Sequence, residues 1–104
     1  MKWLYQLLRP DHNIVRSPKS FNSQIGVPLS VWLMKEENQL AIIEAGISMP
    51  DEMEKLEKII RPTLGVFTNI GSAHDENFKD TEQKVREKLK LFAGVDSLIY
   101  CRDY

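Results

Sequence analysis

Leu40-Ala41-Ile42-Ile43 is a run of four apolar residues without a polar break, and Glu44 ends it. A strand with one wet face alternates polar and apolar residues. An unbroken run is what a strand buried on both faces carries. Such a strand needs a layer on each side, so the rest of the chain has to supply helices. It has the patterns to do so. Trp3, Leu4, Leu7 and Leu8 recur at helical spacing before Arg9-Pro10 stops them. This helix is expected to be running already at Met1, without a cap, as if the chain were cut just inside an element. Asn13-Ile14-Val15-Arg16 reads as a short strand and Ser17-Pro18-Lys19-Ser20 as a polar loop. A helix is expected over residues 23–34, with Pro28 near its first turn and Ile25, Leu29, Val31, Trp32 and Leu33 as its apolar side.

Beyond Glu44 the alternation continues. Ser48-Met49-Pro50-Asp51 resembles a capped helix start, with Asp51 favourable at the positive helix end. Met53, Leu56, Ile59 and Ile60 form the inward side of that helix until Arg61-Pro62. Leu64 to Thr68 reads as a strand, Asn69 to Lys79 as a long polar loop of the kind that carries function. Asp80-Thr81-Glu82-Gln83 has the form of a capping box, opening a helix with Val85, Leu89 and Phe92 on one face and Gly94 at its end. Ser97 to Cys101 closes the chain as a strand. Strands separated by helices need crossover connections, hence an α/β fold with a mostly parallel sheet of about four strands and flanking helices, in one domain over residues 1–104.

Composition removes several classes of function. A formal net charge of -1 supplies no basic field for nucleic acid. No apolar run approaches the ~20 residues of a membrane span, and the N-terminus lacks the apolar core of a signal peptide. Cys101 is the only cysteine, so no internal disulfide can form and a cytoplasmic location is expected. On its apolar strand Cys101 reads as a small buried hydrophobe.

Chemistry concentrates where the apolar runs end. Glu44 closes one run, and Thr68-Asn69-Ile70-Gly71-Ser72-Ala73-His74 follows another. Lys88 lies fourteen residues after His74 in a helical stretch. In a parallel sheet the crevice beyond the carboxyl ends of the strands is where ligands bind. A carboxylate, an imidazole and a lysine there look like a magnesium-phosphate site. Each residue also has a plain reading: Glu44 a solvated strand end, His74 a surface histidine, Lys88 a wet helical face, Asn22 a cap. Glu44 and His74 are expected at one end of the sheet, with the start of the Asn22 helix close by.

Four colinear segments resemble the Mur ligases, the ATP-dependent amide ligases of peptidoglycan synthesis. Asn22-Ser23-Gln24-Ile25-Gly26-Val27-Pro28-Leu29-Ser30 is similar to the family's Asn-Asn-x-Ile-Gly-Val-Pro-Leu-Thr. Ala41-Ile42-Ile43-Glu44-Ala45-Gly46 is similar to its apolar strand ending in Glu-Leu-Gly-Ala, and Thr68-Asn69-Ile70 with Ala73-His74 to its Thr-Asn-Ile…Ala-His. Lys88, with Phe92 in register, has the spacing of its Ala-Lys-x-x-Ile-Phe helix. Within the family the match is best to members that join D-alanyl-D-alanine to UDP-N-acetylmuramoyl-tripeptide through an acyl phosphate. The Ser-Gln and Val-Trp variants resemble members fused to an alanine racemase, although no pyridoxal phosphate lysine motif is visible here.

The resemblance implies ATP and Mg2+ as cofactors. It implies Glu44 and His74 as metal ligands, Lys88 as a lysine carbamylated to help place the second metal, and Asn22 close to the phosphates. Ser23 departs from the family's second asparagine. The phosphate loop Gly-x-x-x-x-Gly-Lys-Ser/Thr is missing: none of Gly26, Gly46, Gly65, Gly71 and Gly94 precedes a lysine. The expectation is a partial central domain, inactive alone, with Lys88 an ordinary ammonium and with strand edges that make it self-associate. A folylpolyglutamate synthase-like ligase fragment and a non-catalytic α/β interaction module are the alternatives.

Overall fold

The computed structural model describes residues 2–18 and 21–102, so the start of the first helix at Met1 lies outside the described residues. The chain divides into two compact units, Met1–Gly46 and Ile47–Tyr104. All four expected strands form, and all pair in parallel, as an α/β fold of short strands and flanking helices. They pair two and two, one pair within each unit.

The first unit runs α1 (Lys2–Leu8), β1 (Ile14–Arg16), α2 (Gly26–Trp32) and β2 (Leu40–Ile42). β1 and β2 pair with Ile14 opposite Leu40 and Arg16 opposite Ile42. Polar side chains fix that register at its entry. The Asn13 N–H donates to Gln39 Oε1 at 2.9 Å, and Asn38 Nδ2 donates to Asn13 Oδ1 at 2.9 Å. The Arg16 guanidinium sits 4.2 Å from the centroid of the Tyr5 ring, holding α1 to β1 by a cation–π contact.

α2 buries the opposite set of residues from the one its hydrophobicity implies. Gly26, Val27 and Ser30 face inward, whereas Ile25, Leu29, Trp32 and Leu33 are exposed, Trp32 to 86%. Close approach contributes: a Cβ on Gly26 would lie 2.8 Å from the backbone of Phe21, so glycine is what fits at that position. Ser23 stands just before the helix, its Oγ accepting from the Gly26 N–H at 3.1 Å.

The second unit runs α3 (Glu52–Ile60), β3 (Leu64–Phe67), a 3₁₀ turn (Asp75–Asn77), α4 (Thr81–Leu89), a second 3₁₀ turn (Lys90–Phe92) and β4 (Ser97–Tyr100). Met53 and Leu56 of α3 are fully buried, while Ile59 is exposed and Ile60 half-buried. Asp51 lies at the start of α3 without capping it. Instead Glu52 reaches back, accepting from the Ser48 N–H at 2.6 Å, the Met49 N–H at 2.7 Å and the Ser48 hydroxyl at 2.8 Å. α4 has the cap foreseen, with Asp80 Oδ1 accepting from the Gln83 N–H at 2.7 Å. The Gln83 side chain returns to the Lys79 N–H at 2.6 Å.

Two expected burials are corrected. The inward residues of α4 are Lys84 and Glu87, with Val85 half-buried and Leu89 exposed, because both charges find partners there. Cys101 follows the end of β4 and is exposed. Register and burial agree in the β3–β4 pair: Gly65 and Leu98 face the Phe92 ring, while Leu64, Val66 and Ile99 share the exposed face. A Cβ on Gly65 would come within 2.8 Å of Phe92 Cε1.

Candidate functional site

Glu44 lies two residues beyond β2, exposed, with its main chain fixed from beneath. Ser17, 1% exposed and directly after β1, accepts the Glu44 N–H on its Oγ at 3.0 Å. The Ser17 N–H donates to the Ile42 carbonyl at 3.0 Å, continuing the ladder by one rung. Ser17 thereby closes the carboxyl end of the β1–β2 pair and sets where Glu44 leaves it. Asn22 is brought to the same end. Its carbonyl accepts from the Gly46 N–H at 2.7 Å, and its side-chain Nδ2 would lie 3.2 Å from a Cβ on Gly46. Asn22 and the Glu44-Ala45-Gly46 segment are therefore neighbours within one unit.

In the second unit His74 is exposed at the entry to the 3₁₀ turn, in the left-handed conformation with φ 62°. Burial by itself would raise the Glu52 carboxyl, but the Ser48 and Met49 donors outweigh that, and it ends below its ordinary value. Asn77 ties the same loop to the start of α3, its Nδ2 donating to the Ser48 carbonyl at 2.8 Å. Lys88 is half-buried on α4, its Nζ 5.5 Å from the centroid of the Phe67 ring at the end of β3. That ring packs tilted against Phe92 at 6.2 Å.

The donor chemistry suits a magnesium ion in part. Among the described residues no three His, Cys, Asp or Glu side chains gather into a metal cluster. Magnesium needs no such cage, since it is bound by one or two carboxylates and completes its shell with water and substrate phosphates. An exposed carboxylate on a fixed strand end fits that habit.

The Mur ligase middle domain family matches residues 1–103. The chain belongs to that family. It is 30% identical over 103 residues to the UDP-N-acetylmuramoyl-tripeptide--D-alanyl-D-alanine ligase of Bacillus subtilis, an alignment covering 96% of this chain and 22% of the relative. The ligase of the same name from Borreliella burgdorferi is 33% identical over 88 residues, covering 85% of this chain and 19% of its own. A crystal structure of MurF from Acinetobacter baumannii superposes with a TM-score of 0.81 at 25% identity, covering 88% of this chain and 20% of that one. The chain spans about a fifth of the length of the relatives it matches.

Three residues that sequence reasoning passed over shape this Mur ligase domain. Ser17 stood in a loop whose polarity carried no sign of burial. Glu52 stood beside Asp51, the more conventional cap. Lys84 stood one turn before Lys88 in a charged stretch, and only its burial distinguishes it.

Proposed function

We propose that these residues form part of the middle domain of an ATP-dependent ligase that joins D-alanyl-D-alanine to UDP-N-acetylmuramoyl-tripeptide. The similarity along nearly the whole chain to ligases of that name carries the reading. The junction of Asn22 with the segment that follows Glu44 supports it, because it brings two of the motif residues to one strand end. In the reaction the terminal carboxylate of the peptide takes the γ-phosphoryl group of ATP, releasing ADP. The amine of D-alanyl-D-alanine then attacks the acyl carbon, losing a proton as inorganic phosphate departs.

The work of this chain is placement. Glu44 offers a carboxylate held at a fixed strand end, where a bound magnesium ion would neutralise phosphate charge. Asn22 offers an amide at the same end for phosphate or substrate oxygens. His74 offers an imidazole from a braced loop for the second metal. Lys88 is the residue for carbamylation in the assembled enzyme; its Nζ stands over the Phe67 ring, a setting that favours a cation. The setting we assign is cytoplasmic; among the described residues no helix is long and apolar enough to cross a membrane. Any pyridoxal phosphate would belong to a fused racemase domain and not to these residues.

A chimera provides the test. Residues 1–103 replace the matching segment of the Bacillus subtilis ligase, and phosphate release is followed with ATP, Mg2+ and both substrates. Release that depends on D-alanyl-D-alanine is expected. A chimera that folds and binds ATP but gives none overturns the reading.

A further inference from the structure

We infer that Lys84 is a positioning residue for His74: its buried ammonium braces the loop that presents the imidazole. The inference uses the ligase reading only for the purpose His74 serves. Lys84 is 3% exposed. A lysine ammonium has three protons to donate, and the structure supplies three acceptors. Nζ lies 2.8 Å from the Gly71 carbonyl, 2.5 Å from the Ala73 carbonyl and 2.9 Å from Asp75 Oδ1. The ring of Phe78 closes over it, with the centroid at 5.8 Å.

Two of the acceptors belong to the residues on either side of His74, so the cation grips the chain immediately before and after the imidazole. That grip matters because His74 holds a left-handed backbone, which non-glycine residues adopt only when the surroundings fix it. Local hydrogen bonds make a turn but do not choose its place: the Asp75 N–H donates to the Ser72 carbonyl and the Asn77 N–H to that of His74. Lys84 ties the turn to α4, the helix that also carries Lys88. An alkyl chain at this position would leave two carbonyls and a carboxylate turned toward a site with no donor.

The test compares Lys84→Met with the exposed control Arg86→Met in the 104-residue chain. Amide exchange at Asp75, Asn77 and Phe78 should accelerate by about tenfold or more in Lys84→Met, since these are the bonds that opening the loop would break. The Cα chemical shift of His74 should move away from its left-handed value. Amides of α3 should change little. Aminoethylation of Lys84→Cys, in a Cys101→Ser background, restores an ammonium at that place and should restore the shift. Unchanged exchange and an unchanged shift in Lys84→Met overturn the inference. Should that variant unfold throughout, Asp75→Asn removes one exposed partner of the brace and must shift the same amides in the same direction, or the inference fails.

Within the chimera, Lys84→Met should raise the Mg2+ concentration for half-maximal rate more than it changes the rate at saturation. A loosened loop with unaltered Mg2+ dependence would overturn the positioning role. An inactive parent chimera would instead sink the ligase reading and leave the loop measurements standing.

Discussion

The Ser17 hydroxyl holds the backbone of Glu44, accepting its N–H at 3.0 Å from a side chain that solvent does not reach. The backbone that carries Glu44 beyond β2 is thus locked by the residue that follows the neighbouring strand. Ser17→Ala should cost about 1–3 kcal/mol, because it strands the Glu44 N–H. Urea denaturation of the two proteins measures this. A loss under a few tenths would mean that water replaces the hydroxyl without penalty.

Two glycines should answer differently to the same substitution. At Gly26 a methyl group meets the Phe21 backbone, which cannot swing aside as a flexible side chain can. Gly26→Ala should destabilise by about 1–3 kcal/mol through overpacking. At Gly71 nothing lies within 4 Å of a Cβ, so Gly71→Ala should be neutral or slightly stabilising. Equal thermal midpoints for the pair would contradict the close approach of α2 to Phe21.

Glu52 gives the second unit an acid-sensitive fastening. Its carboxyl is held below its ordinary value of about 4.5 in the folded chain, so the folded state binds the proton less readily than the unfolded one. Its contribution is full above that value and drains away as pH falls through the lower, folded value. Glu52→Gln should therefore weaken the chain at neutral pH and flatten its acid limb. Unfolding midpoints between about pH 3 and pH 7 would show the wild-type curve approaching the variant's at the acid end; parallel curves would refute the assignment.

Glu44→Ala and His74→Ala, placed in the chimera, should each reduce Mg2+-dependent ligation by at least about a hundredfold while leaving the far-ultraviolet spectrum unchanged. The 104-residue chain alone should show no ATPase activity. Turnover persisting in both variants would overturn the metal-binding roles proposed for these residues.

Self-association is expected of the chain by itself. Leu64, Val66 and Ile99 expose one apolar face of a two-stranded pair, and among the described residues β3 and β4 pair only with each other. Such an edge invites strands from a second copy. Light scattering should report a mass above that of one chain at high concentration; a monomer throughout would rule this out.

What could be read beforehand was whatever rests on local pattern. Runs such as Leu40 to Ile43 and stops such as Arg61-Pro62 placed every strand and helix within a few residues. Membership of the family was legible by resemblance, and the family model matches residues 1–103. What could not be read was set by distance in the fold. The nearness of Phe21 to Gly26 contributes to the inner side of α2, and hydrophobicity pointed to the wrong face. Lys84 and Glu87 are buried because partners wait for them, on the loop of Gly71 to Asp75 and at the Asp51 N–H. A charged side chain gives no local hint of such partners.

Gly65 and Phe92 occupy what is in effect one side chain's space between them, the ring filling the place a Cβ would take. Their volumes are bound to vary in opposite senses: a larger residue on β3 requires a smaller one at the end of the second 3₁₀ turn. Descendants of this sequence can cross from one solution to the other only through an intermediate that is either crowded or hollow. These two positions should therefore change rarely and together, a historical signature of packing rather than of catalysis.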